Sequence, residues 1–147
     1  MSQTLLLLIT KDPSHPLAHL ALRYACTFLE AKLKVNATDR KNETDDSEND
    51  NQLLKLFFYA DAANIANRLR WQSADQVNLT KEWQILAEQY QLALPVCVST
   101  ALSRGISDPD NSARHQLQGD NLAESFELVG LSELALMMQS DCRVLQF

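Results

Sequence analysis

Short apolar runs alternate along this chain with longer stretches in which apolar residues recur every three or four positions. Thr4 to Ile9 is a run of six ended at once by Lys11-Asp12-Pro13, the length and breaker of a fully buried strand. Pro16 suits a helix start, and Leu17, Leu20, Ala21, Tyr24 and Phe28 repeat at helical spacing, which predicts a helix over 16–33. Leu53 to Tyr59 reads as a second strand, with a short helix over 60–69 behind it. Trp83, Leu86, Ala87 and Tyr90 share one face of a helix over 81–91, with Thr80 as its N-cap. Leu94 to Val98 is the third strand. Ser99 to Arg104 is helical and stops at Gly105, and Ile106 to Asn111 is a turn. A fourth strand ends at Val129, a last helix covers 130–139, and Cys142 to Phe147 is a terminal strand.

Apolar strands alternating with helices predict a parallel sheet covered on both faces. Five such strands in 147 residues make one domain with a three-layer α/β/α sandwich of flavodoxin-like or related form around a mostly parallel five-stranded sheet. One segment breaks the pattern. Residues 36–52 hold six acidic and two basic side chains and almost nothing apolar, which reads as a mobile, solvated insertion or as a docking site for a basic partner.

That segment carries −4 of the formal charge of −6, so the rest of the domain is near neutral. Arg68, Arg70 and Lys81 are scattered along the chain, and no run of basic residues argues for direct nucleic-acid binding. Leu5 to Ile9 is too short for a signal core or a membrane span. Three widely spaced cysteines, Cys26, Cys97 and Cys142, are neither a disulfide framework nor a zinc pattern and fit a reducing cytoplasm. Asn36, Asn42 and Asn78 each open an N-x-Thr sequon that carries no weight without secretion.

Functional groups of open parallel sheets gather beyond the carboxyl ends of the strands. Residues 11–15, 60–64 and 97–104 occupy that edge. Cys97 ends a buried strand just before a helix start at Ser99 or Thr100, where free backbone N–H groups and the positive helix end favour a thiolate, the nucleophilic form. Ser99 and Thr100 supply hydroxyls, and Arg104 supplies charge if its side chain folds back. A strand-end cysteine is also an ordinary core residue, and position alone leaves both readings open. Cys26 falls opposite the apolar stripe of its helix, near Arg23 and Glu30, and Cys142 reads as packing. Asp61 and Asn64 either orient a ligand or cap the short helix. His15 and His19 stand four apart without a third ligand, so no metal is expected, and His115 is a surface residue. Three isolated glycines exclude a nucleotide loop, and no cofactor is implied.

Phe57-Phe58-Tyr59, Asn64-Ile-Ala-Asn67, Trp83, Val96-Cys97-Val98, Ala101 to Gly105, Phe126 to Leu131 and Arg143 to Phe147 follow one another in an order that resembles the DsrE-like sulfur-relay family, in particular the D-type subunit of its relay complexes. The resemblance implies a central parallel sheet and a sulfurtransferase whose Cys97 carries sulfane sulfur as a persulfide. It further implies TusB-like and TusC-like partners in a heterohexamer, an upstream sulfur donor, and a downstream TusE-like carrier serving 2-thiolation of the tRNA wobble uridine. A sulfur carrier of dissimilatory oxidation and a non-catalytic structural subunit are the neighbouring alternatives. Three features depart from the family pattern: the long 36–52 insertion, Lys11-Asp-Pro13 in place of a glycine-rich first loop, and a loop after Tyr59 that reads Ala60-Asp-Ala-Ala without the expected glycine.

Overall fold

The computed structural model describes residues 3–39, 54–139 and 141–147. The acidic insertion therefore lies outside the described residues from Arg40 onward. Its first residues belong to a helix: α1 runs Pro16–Asp39, six residues beyond the predicted end.

Five strands, β1 (Thr4–Ile9), β2 (Leu54–Phe58), β3 (Leu94–Cys97), β4 (Phe126–Val129) and β5 (Cys142–Gln146), form one sheet in the order β4-β3-β2-β1-β5. Every pairing is parallel. The predicted five strands and parallel sheet are thus observed. A 3₁₀ segment (Ala60–Ala66), α2 (Leu79–Tyr90), α3 (Val98–Leu102), α4 (Pro109–His115) and α5 (Leu131–Gln139) complete the elements.

The strand order fixes which face each helix covers. The chain steps from β1 to β2 to β3 to β4 in one direction, then returns past all of them to place β5 beside β1. Right-handed crossovers put the connections of the forward steps on one face and that of the return step on the other. The main core accordingly joins Leu5, Leu7, Ile9, Leu56, Phe58 and Val96 to residues of α1, α2, the 3₁₀ segment and α3. The opposite face is a small cluster of Leu6, Phe57 and Cys97, packed by Leu134 and Met137 of α5. Among the described residues the third layer is the nine-residue α5, which has no buried residue.

Several local expectations change. The buried stripe of α1 is Ala18, Ala21, Leu22 and Ala25, while Leu17, Leu20 and Tyr24 are exposed. The helix is apolar on two sides, and the side of small residues lets its backbone approach the sheet. Asn78, not Thr80, caps α2 by accepting from Lys81 N–H at 3.2 Å. The Thr80 hydroxyl is buried and donates to Ile65 C=O at 2.6 Å. The turn predicted at 106–111 contains the start of α4, capped by Asp108 accepting from Asn111 N–H at 2.8 Å, with Pro109 in the first turn. Gly105 ends α3 with φ +76, as its Schellman-type bonds require: Ile106 N–H to Ala101 C=O and Gly105 N–H to Leu102 C=O.

Candidate functional site

Cys97 is the last residue of β3 and the N-cap of α3. It pairs with Val129, the last residue of β4. From Cys97 the chain turns toward the main-core face; from Val129 it turns through Gly130 into α5 on the other face. Adjacent strands whose connections leave on opposite faces open a crevice between their carboxyl ends, the position at which α/β sheets hold their reactive groups.

Alternation along β3 aims Val96 into the main core and Cys97 at the α5 face. Cys97 is 1% exposed and forms a buried cluster with Leu6 and Phe57, on which Leu8, Tyr59, Val129, Cys142 and, from α5, Leu134 and Met137 pack. Met137 also walls a groove of about 500 Å³ beneath α5, whose floor includes Lys55 and Pro95. Pro95 and Cys97 lie on the same face two residues apart, roughly 7 Å. The groove thus runs under α5 on the face that Cys97 shares.

The predicted supporting residues stand around Cys97 in a different arrangement. The Thr100 hydroxyl donates to the Cys97 carbonyl at 3.2 Å, so it steadies the helix start rather than serving sulfur. Ser99 is exposed, and its carbonyl accepts Ser103 N–H. Arg104 does fold back, but onto Asp61: Nε and Nη2 donate to Oδ1 at 3.1 and 2.9 Å, and Nη1 donates to Thr100 C=O at 3.1 Å. Asp61 thus ties the 3₁₀ segment to α3 and does not cap. Asn64 Nδ2 donates to Asp12 Oδ2 at 3.1 Å, linking the loops after β2 and β1. Burial works against ionisation of Asp12, but the Ser14 N–H and hydroxyl, the Asn64 amide and the Arg70 charge outweigh it and hold the carboxyl below its ordinary range.

The other thiols lie apart. Cys26 is half-buried against the main core rather than exposed, and burial with Glu30 and Glu82 pushes its thiol up. Cys142 opens β5, three strands from Cys97, a lateral gap of roughly 14 Å that no disulfide spans. Its Sγ lies 3.3 Å from Met137 C=O. All three cysteines are free. His15 Nδ1 accepts Leu17 N–H at 3.1 Å and His19 Nε2 meets Pro13 C=O at 3.0 Å, so both serve the start of α1. No three His, Cys, Asp or Glu side chains among the described residues are grouped to hold a metal. No described helix is long and apolar enough to cross a membrane.

Sequence reasoning missed one assembly. Arg68, Arg70 and Lys81, scattered in the chain, line a single cleft of about 610 Å³ with Trp71. The signal was the loop of 67–78, which has too little apolar content to bury itself yet carries a tryptophan.

A family model described as DsrE/DsrF-like matches residues 3–147. The chain is 42% identical over 96 residues to Sulfurtransferase TusD of Pectobacterium carotovorum, covering 65% of this chain and 74% of that one. It is 41% identical over 95 residues to a Sulfurtransferase TusD homolog of Vibrio vulnificus, covering 65% and 72%. With Sulfurtransferase TusD of Proteus mirabilis it shares 38% over 100 residues, covering 68% and 77%. The crystal structure of the ychN protein from E. coli superposes with a TM-score of 0.69 over 99% of both chains at 20% identity, a likeness of fold.

Proposed function

The chain belongs to the DsrE/DsrF-like family, and we propose that it is a sulfurtransferase subunit of a sulfur relay that carries sulfane sulfur as a persulfide on Cys97. The observation that carries this reading is the place of Cys97: at the crevice between two strand ends whose connections diverge, one residue before a helix start, and remote from both other thiols.

In the first step the Cys97 thiolate attacks the outer sulfur of a donor persulfide. The Cys97 S–S bond forms, the donor S–S bond breaks, and the donor leaves as a thiolate. In the second step an acceptor thiolate attacks the outer sulfur and Cys97 leaves as a thiolate. No net oxidation occurs, and no cofactor takes part. The absence of a neighbouring thiol serves this cycle, because an adjacent thiol in the same chain would discharge the persulfide as a disulfide. Burial shields the loaded sulfur from oxidants. Access calls for movement on the α5 face, where Leu134 and Met137 pack on the cluster that holds Cys97. Both are only partly buried, so lifting them costs about 1 kcal/mol each, about half the value for a fully buried side chain. The downstream reading is transfer to a TusE-like carrier for tRNA 2-thiolation, within a cytoplasmic heterohexamer with TusB-like and TusC-like subunits. The relatives' name, Sulfurtransferase TusD, supports the sulfur-relay role on which this reading rests.

A structural, non-catalytic role is the second reading, favoured by the 1% exposure of Cys97. Intact-mass analysis after incubation with a cysteine desulfurase and cysteine separates the two. The relay reading expects the mass of one added sulfur, mapped to Cys97 and absent in Cys97→Ser. Sulfur uptake undiminished in Cys97→Ser, or none in the native chain, overturns it.

A further inference from the structure

We propose that the cleft between residues 67–72 and the start of α2 is a docking site for an acidic peptide segment of a partner protein, anchored by an adjoining leucine or aromatic side chain. The chain carries a formal charge of −6, yet the cleft is lined by Arg68, Arg70 and Lys81 and by no acidic side chain. Charge complementarity therefore selects an anionic partner for this cleft.

The cations are unequally engaged. Arg68 donates to Asp120 C=O at 2.7 Å, with its carboxylate at 3.5 Å. Arg70 spends one Nη1 donor on Gln72 at 2.9 Å, while its Nε is buried without a hydrogen-bond partner. The carboxylate whose field it feels, Asp12, is already held by Ser14 and Asn64. Lys81 makes no ion pair among the described residues. Two cations thus face the cleft with donor capacity to spare.

Trp71 and Leu69 stand beside them, 82% and 70% exposed. Leu69 also lines a second groove of about 360 Å³ with Leu102, Ile106 and Leu117. A cationic cleft and an aliphatic groove therefore meet at Leu69. An extended segment with carboxylates on one side and an apolar side chain on the other matches both. Exposed tryptophan and arginine are the side chains that dominate protein interfaces. The loop is held in place in advance: Arg68 N–H donates to Asn121 C=O at 2.7 Å, Leu69 N–H to Asn67 Oδ1 at 3.0 Å, and Asn121 Nδ2 to Asn67 Oδ1 at 3.2 Å. Little order has to be created on binding. A single strand of nucleic acid also uses cations and an aromatic platform, but the Leu102–Leu117 groove offers it nothing.

The test uses the full chain and the acetylated peptide Glu-Asp-Glu-Leu-Phe, with Lys-Arg-Lys-Leu-Phe and a short oligouridylate as the other arms. Trp83 is fully buried, so a change in tryptophan emission reports Trp71. Saturable binding of the acidic peptide, with a blue shift lost in Trp71→Phe, is expected. Arg70→Glu with Lys81→Glu weakens it by about tenfold or more, as for paired interface charges. Trp71 and Lys81 are exposed and Arg70 is half-buried, and the melting temperature of each variant confirms its fold. Equal binding of the basic peptide, unchanged affinity in the double variant, preference for oligouridylate, or no saturable binding below about 1 mM overturns the proposal. The inference does not use the thiol, so the same result is expected with Cys97→Ser, whatever the outcome of the sulfur-transfer test.

Discussion

Cys97 lies directly across from Val129 in the β3–β4 ladder, and the chain leaves these two residues toward opposite faces of the sheet. The relationship follows from the strand order: β4 is the strand from which the chain must turn back, so its connection alone crosses the far face. The helix so formed, α5, packs on the cluster that holds the thiol. Fold topology thus supplies both the crevice and the helix beside it.

If α5 gates the thiol, its hold on that cluster sets how often Cys97 is reached. Leu134→Ala trims one of the two α5 side chains that pack on the Leu6–Phe57–Cys97 cluster. We expect alkylation of Cys97 in the native chain to be slow and to quicken about tenfold in this variant, the equivalent of about 1.4 kcal/mol of local opening. Peptide mapping after iodoacetamide treatment reads the rate at each cysteine. An unchanged Cys97 rate would show that opening runs through another element.

The Asp61–Arg104 pair joins two loops of the carboxyl edge, but Asp61 is 63% and Arg104 30% exposed. Solvent screens such a pair, so a double-mutant cycle of Asp61→Ala and Arg104→Ala should give a coupling below about 1 kcal/mol in urea unfolding. A larger coupling would mean that the 3₁₀ segment and α3 depend on it to stay docked.

Periodicity of two and of three or four residues was enough to read the five strands and the positions of α1, α2 and α5, because those patterns record burial directly. It misplaced the buried side of α1, since Leu17, Leu20 and Tyr24 are the larger apolar residues but Ala18, Ala21 and Ala25 allow the closer approach. The Asp108-Pro109 signal of α4 was present in the sequence and hidden by its turn-like composition. Cys97 was legible from its strand end. That it is buried was not, because side chains packed on its cluster come from a helix more than thirty residues away, placed there by the handedness of one crossover. For the same reason, sequence distance concealed the gathering of Arg68, Arg70 and Lys81.

Ala60 illustrates a departure from the family pattern that the backbone explains. The family resemblance calls for a glycine in the loop after Tyr59, and within that loop Ala60 adopts φ +53. A left-handed alanine costs about 1–2 kcal/mol, of which glycine's greater freedom in the unfolded chain returns about 0.4–1. Ala60→Gly should therefore stabilise by roughly 0.5–1 kcal/mol, a rise of about 1–4 °C in melting temperature for a chain of this size. A fall in calorimetric melting temperature would show that the methyl group packs usefully.

Asp12 gives the chain a stability term with a definite pH window. Burial raises its pKa, but Ser14, Asn64 and Arg70 lower it further, so the folded carboxyl is more acidic than its ordinary value of 3.8. As pH falls, the unfolded chain takes up the proton first. The contribution is present above about pH 3.8 and is lost as pH drops through the folded pKa. Asp12→Asn keeps the shape and one acceptor oxygen but removes the charge. At pH 7 it should cost about 1 kcal/mol, a charge-assisted hydrogen-bond value reduced for partial exposure. Well below pH 3.8 the two proteins should unfold at the same urea concentration. A difference that persists undiminished in acid would assign the effect to lost hydrogen-bond geometry rather than to the charge.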